Sequence, residues 1–167
     1  MKLSSSTLQQ PVPPYPRGRR AKVVQTVAEA VDVRGPSRLA VVVDGRTGAG
    51  KTTFAHELGL ALERAGRPVY RAGLDDFKRP WSERDRYDRA SGEGFFHNAY
   101  DHGRIARDLA GPVRTDGLVT LCGIDPITQL DHGDRVTQMA PDGILVVDGV
   151  FALRAELVGL WDLRILL

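Results

Sequence analysis

Gly45-Arg46-Thr47-Gly48-Ala49-Gly50-Lys51-Thr52 decides how this chain of 167 residues is read. The octapeptide fits the spacing G-x4-G-K-[S/T], and its flanks give that spacing a structural meaning. Before it stands RLAVVVD (Arg38–Asp44), a short apolar run rich in β-branched residues, as expected of a strand buried on both faces of a parallel sheet. After it, Lys51–Ala65 places Phe54, Leu58, Ala61 and Leu62 at helical spacing, and Gly66 stands where a helix C-cap belongs. Strand, glycine loop and helix N-terminus in that order make a phosphate cradle. Glycines let backbone amides point inward at positive φ without a Cβ clash, and the helix end adds its partial positive charge. The expected ligand is a nucleoside triphosphate, ATP with Mg²⁺, held by Gly45, Arg46, Thr47, Gly48, Ala49, Gly50, Lys51, Thr52 and Thr53. Lys51 is expected at the β- and γ-phosphates, Thr52 at Mg²⁺ and Thr53 at the α-phosphate.

Working outward, Ala21 to about Val33 carries Val23, Val24, Val27, Ala30 and Val31 at helical spacing and stops at Arg34-Gly35-Pro36. Pro68–Leu74, Gly143–Val147 and Asp162–Leu167 read as further strands. Asp101–Ala110 reads as a helix with Ile105, Ala106 and Leu109 inward, ended by Gly111-Pro112. Leu118–Cys122 and Arg135–Met139 suit a small antiparallel excursion, and Leu153–Leu160 at most a short helix. Residues 75–97 are polar, basic and aromatic without a period, and a stretch of that length inside a domain is usually functional or disordered. The fold predicted is α/β: a three-layer P-loop NTPase with a parallel sheet of at least four strands, near 39–44, 69–74, 144–148 and 163–167, and helices on both faces.

Composition narrows the function classes. Hydrophobic residues make up 42% and charged residues 26%, so the chain can bury a core without staples. The single cysteine, Cys122, excludes an intrachain disulfide and a CxxC metal site and fits a reducing cytoplasm. No apolar run approaches the roughly 18 residues of a membrane helix, and no membrane partner is expected. Residues 1–22 hold five basic groups and no acid, whereas the remainder carries a net −3, which together give the overall +2. The basic excess thus belongs to residues 1–22; of these, 1–20, with SSS, PVPPYP and RGRR, read as a disordered or extended tail preceding one domain over 21–167. A solvated leader suffices to explain it, and no nucleic-acid partner is expected.

The phosphate loop does not by itself separate a switch GTPase, a motor ATPase and a small-molecule kinase. Neither an NKxD base-reading motif nor an LSGGQ-like signature occurs in the sequence. The segments that follow are Gly73-Leu74-Asp75-Asp76-Phe77-Lys78-Arg79-Pro80, then Arg86–Phe96 and Ala99-Tyr100-Asp101, then Leu145–Leu153 (LVVDGVFAL). Together with the loop they resemble the uridine kinase branch of the P-loop kinases, relatives of phosphoribulokinase and bacterial pantothenate kinase, over roughly Arg38–Leu167. The resemblance implies ATP-dependent phosphoryl transfer to a hydroxyl of a small metabolite, a nucleoside first. It places Asp75 at the acceptor hydroxyl as proton acceptor, and the residues agree, because a strand end beside the phosphate loop is where substrate meets the γ-phosphate. Asp76 is the second choice, and either aspartate could instead cap a turn. Asp148, closing an apolar strand, resembles a Walker B acid that serves Mg²⁺ directly or through water.

The resemblance also implies that Asp101 holds acceptor hydroxyls, although an aspartate just before a helix is equally a good N-cap. Tyr100 and Arg79 are candidate acceptor contacts. Phe95 and Phe96 either wall a pocket with Tyr100 or pack in the core. Lys78, Arg84, Arg86 and Arg89 interleave with Glu83, Asp85 and Asp88, which reads as a solvated, salt-bridged loop. The four histidines, His56, His97, His102 and His132, show no ligand spacing and read as surface residues. Family members continue past the point matched by Leu167 with a lid helix and a last strand, so Asp162–Leu167 is expected at an exposed sheet edge that could support a homo-oligomer. Two alternatives stay open: a nucleotide-binding module without turnover, and a kinase for another acceptor such as pantothenate or a sugar phosphate.

Overall fold

The run Leu39–Asp44 forms β1, and all six of its residues are buried. Its β-branched side chains alternate between two cores, as the period of a strand requires. Ala40 and Val42 join Ala72, Leu145 and Val147 on one face. Leu39, Val41 and Val43 join Val69, Ile144 and Val146 on the other. The computed structural model describes residues 1–83 and 91–167. With β2 (Val69–Gly73), β5 (Ile144–Asp148) and β6 (Leu163–Leu166), β1 makes a parallel sheet in the order β2-β5-β1-β6. A separate antiparallel pair, β3 (Leu118–Thr120) with β4 (Val136–Gln138), is the small excursion expected from the sequence.

Helices cover both sheet faces. On one, α1 (Gly18–Asp32) buries Val24, Ala28 and Val31 against α2 (Lys51–Arg64), whose stripe is Phe54, Leu58, Ala61 and Leu62. On the other, α4 (His102–Arg104) runs on through a π-helical turn at Ile105–Ala110 and a 3₁₀ turn at Gly111–Arg114. Ile105, Leu109 and Val113 from that run pack with Tyr100 and Trp161 beneath the sheet. Each such side chain, taken fully out of water, contributes about 1.5–3 kcal/mol. The layers are those of the α/β fold expected.

The register aligns Val43 with Asp148 and Asp148 with Gly73. The carboxyl ends of β1, β5 and β2 therefore lie side by side, and the loops that follow them open onto one crevice, where open α/β sheets bind ligands.

Four local expectations need revision. The first helix begins at Gly18, three residues early, because Arg20 finds a partner on α2: its Nε lies 2.7 Å from Glu57. Gly111-Pro112 does not end the second-face helix. The wide turn lets Gly111 N–H donate to Ala106 O, and proline opens the next turn, where its missing donor costs nothing. A short helix, α3 (Gly92–Asn98), lies in the aperiodic stretch, capped by the Ser91 side chain accepting from Gly94 N at 2.9 Å. Finally, His56 and His132 are buried rather than on the surface.

Residues 1–17 contain no helix and only a single bridge, Lys2 beside Tyr70. They are nonetheless tied to the domain. The Met1 amine pairs with Glu63, Lys2 exchanges backbone hydrogen bonds of 2.8 Å with Val69 and Arg71, and Thr7 bonds Asp125 through both its amide and its hydroxyl. Strand β6 lies at the sheet edge, with Leu166 72% exposed. Among the described residues no helix is long and apolar enough to cross a membrane.

Candidate functional site

The glycine loop turns directly out of β1. Asp44 anchors it from below, accepting from Gly45 N at 2.6 Å through one oxygen and from Leu153 N at 2.8 Å through the other. That second bond ties the segment after β5 to the root of the loop. Gly48 and Gly50 take φ of 80° and 85°, and Gly50 is the left-handed N-cap residue of α2. An L-residue there would carry the steric cost of the left-handed region. The loop thus ends at a helix whose first amides have no intrahelical partner, an arrangement that can receive anionic oxygens. Lys51, nearly buried, folds over the loop and donates from Nζ to Arg46 O at 2.8 Å.

Thr52, in the first turn of α2, donates from Oγ1 to Asp148 Oδ2 at 2.6 Å. Asp148, at the end of β5, accepts on Oδ1 from Arg71 Nη2, also at 2.6 Å. Arg71 is itself buried in β2 and donates to the carbonyl oxygens of Ala72 and Val146. A hydroxyl and a carboxylate in contact are hard oxygen donors of the kind Mg²⁺ takes, so Thr52 and Asp148 suit that ion as a pair. His56 lies one helical turn after Thr52, and its Nδ1 is buried without a hydrogen-bond partner among the described residues. Burial first and the Arg71 charge second hold its pKa below the usual histidine value. It is therefore a neutral imidazole at pH 7.

Across the crevice, Leu74–Phe77 forms a 3₁₀ turn at the end of β2. Asp75, half exposed, is held by Lys78 Nζ at 2.9 Å and accepts from the Tyr100 hydroxyl at 3.3 Å. Tyr100 is fully buried, and burial with the nearby Asp75 charge pushes its pKa above the ordinary phenol value, so it stays a donor. Asp76 also borders the cavity but is buried. Burial raises its pKa from 3.8 to about 6, opposed by hydrogen bonds from Ser6, Ser4 and the Gly73 amide.

These groups share one cavity of about 310 Å³, within the lower range of small-molecule sites. Lys51 and Thr52 line it on the loop side, Asp75 and Tyr100 on the far side, with Asp148 and Arg71 between. Of the remaining loop residues, Thr47 and Gly48 line the cavity, while Gly45, Arg46, Ala49 and Gly50 build the turn behind it and Thr53 stands in the first turn of α2. Chemically, the cavity places a glycine loop at a helix N-terminus and a lysine opposite a carboxylate that a hydroxyl could meet.

Two candidates lie elsewhere. Asp101 caps α4, its Oδ1 accepting from Arg104 N at 2.9 Å, and is outside the cavity lining. Arg79 is likewise outside it, with its amide bonded to Ala99 O. Phe95 borders the cavity, whereas Phe96 packs edge-on against Phe151 and beneath the Arg154 guanidinium. Arg84, Arg86, Arg89, Asp85 and Asp88 lie outside the described residues. Sequence reasoning missed His56, Arg71 and the residues near the N-terminus that reach the cavity. Arg71 left one readable trace, a lone charge within a strand of otherwise uncharged residues.

No family model matches the chain, and no curated protein matches it. Solved structures do. One, described as a possible uridine kinase from Bacillus stearothermophilus, superposes with a TM-score of 0.71 at 20% identity, covering 87% of this chain and 79% of that one. Another, described provisionally as a fructose transport system kinase from Silicibacter sp. TM1040, gives 0.65 at 21% identity, covering 90% and 74%. At these identities the likeness is one of fold, and the fold is the α/β P-loop NTPase fold.

Proposed function

We propose that the chain is a P-loop phosphotransferase that moves the γ-phosphoryl group of ATP onto a hydroxyl of a small metabolite, a nucleoside first. One observation carries the reading: Asp75, Lys51 and Thr52 border the same cavity, from opposite sides. The two kinase-like fold neighbours support it as well.

In this reading the loop amides and Lys51 grip the β- and γ-phosphates, and Lys51 leaves Arg46 O to do so. Thr52 and Asp148 hold Mg²⁺, which when bound neutralises charge on the phosphate oxygens. Arg71 holds the Asp148 carboxylate in orientation through a charge-assisted hydrogen bond. Asp75 accepts a hydrogen bond from the acceptor hydroxyl and takes its proton as the new phosphoester bond forms. Tyr100 and Lys78 hold that carboxylate in place.

The test is phosphoryl transfer from ATP·Mg²⁺ to a panel of nucleosides, pantothenate and sugars, with Asp75→Asn beside the wild type. Turnover that Asp75→Asn lowers by roughly 10²–10⁴, with nucleotide affinity retained, is the expected result. Nucleotide binding with no turnover on any acceptor would refute it in favour of a binding module.

A further inference from the structure

The cavity has a wall that neither the phosphate loop nor the Asp75 turn supplies. Leu3, Ser4, Leu8, Gln9 and Gln10 line it from the N-terminal segment. That segment is an arm with fixed supports before and within the crossing. Lys2 is laddered to β2 before it, Thr7 is bonded twice to the buried Asp125 within it, and Ser5 Oγ lies 2.8 Å from His132 Nδ1. The Gln9 carboxamide braces the arm internally by donating to Ser4 O. Ser4 and Ser6 meanwhile bond Asp76, the neighbour of the proposed proton acceptor.

What this wall offers is uncharged. Ser4 brings a hydroxyl, and the Gln10 carboxamide has no hydrogen-bond partner among the described residues. Among the described residues, the lysines and arginines lining the cavity are engaged: Lys51 on the loop, Arg71 with Asp148, and Lys78 with Asp75. An anionic acceptor would meet Asp75 and Asp76 with these cations already paired, whereas hydroxyls and ring amides find donors and acceptors to match. Resting on the phosphotransferase reading above, we infer that the N-terminal arm forms one side of the acceptor site. Ser4 and Gln10 are specificity-determining residues for an uncharged, hydroxyl-bearing acceptor.

The experiment reads binding, so that it stands apart from turnover. The full chain is saturated with adenylyl imidodiphosphate and Mg²⁺, and uridine, fructose and their phosphate esters are titrated calorimetrically. The same titrations are run on Gln10→Ala, which breaks no internal bond, and on Ser4→Ala/Gln10→Ala. An uncharged member binds more tightly than its ester and loses about tenfold or more in the double variant, the effect of removing two ordinary hydrogen bonds. Affinity for the nucleotide analogue and the thermal midpoint of Gln10→Ala stay at wild-type values. Absence of binding by every uncharged member, tighter binding of the esters, or equal affinity in wild type and both variants overturns the inference. Turnover on the same panel separates the two claims: arm-dependent binding without transfer sinks the phosphotransferase reading alone, and transfer indifferent to the arm sinks the arm alone.

Discussion

Replacing Asp76 by asparagine should flatten the pH dependence of stability, and the size of the effect follows from where the carboxyl sits. Asp76 is 4% exposed beside Asp75, with Ser4, Ser6 and the Gly73 amide as its hydrogen-bond partners and Cys122 nearby. Its pKa rises from 3.8 to about 6, because burial outweighs those bonds. A carboxyl with a raised folded-state pKa binds its proton more tightly in the folded chain. It therefore contributes stability at low pH, which is lost as pH climbs from about 4 through about 6. Between pH 5 and pH 8 the loss from this group amounts to roughly 1–2 kcal/mol. Asparagine fills nearly the same volume, accepts through its amide oxygen and does not titrate. Urea unfolding of wild type and Asp76→Asn at pH 5 and pH 8 isolates the effect, since other titrating groups cancel in the difference. The variant should gain roughly 1–2 kcal/mol on the wild type between those two pH values. A gap between the two proteins that is the same at both pH values would show that Asp76 is ionised in the folded chain, and the burial argument would fail.

Two further outcomes can be measured on the purified chain. Arg71→Met leaves the Asp148 carboxylate buried without its cation, and urea unfolding should show a loss of about 3–5 kcal/mol; a loss under about 1 kcal/mol would mean that the pair is dispensable. Gly50→Ala forces a methyl side chain into φ near 85°, and should cost about 1–2 kcal/mol in thermal unfolding while weakening nucleotide affinity; wild-type values for both would show that the left-handed turn is not needed.

Much of this architecture is legible in the sequence. The parallel sheet announced itself because doubly buried strands are built mostly from apolar, β-branched residues, so RLAVVVD and ILVVD stand out from everything around them. The phosphate loop was legible for a related reason: backbone amides can converge only where glycines permit it, and that demand is written in consecutive residues. Helix ends were read less well. Gly111-Pro112 looked like a stop, yet a π-helical turn carried the chain past it, a choice made by packing of Ile105, Leu109 and Val113 and not by local propensity.

The site itself divides the same way. From sequence alone came the sheet, the loop, and the identities of Lys51, Thr52, Asp75 and Asp148, each named by a motif or by its place at the end of an apolar strand. The tertiary structure decided which of them share a cavity, and it left Asp101 as a helix cap and Arg79 outside the lining. It also added Arg71, His56 and the N-terminal arm, none of which is marked out by a motif position. Local demands on backbone conformation and burial repeat along the chain and can be read from it. Pairings such as Arg71 with Asp148, 77 residues apart, or Thr7 with Asp125, 118 apart, depend on strand order and register, which exist only once the chain has folded.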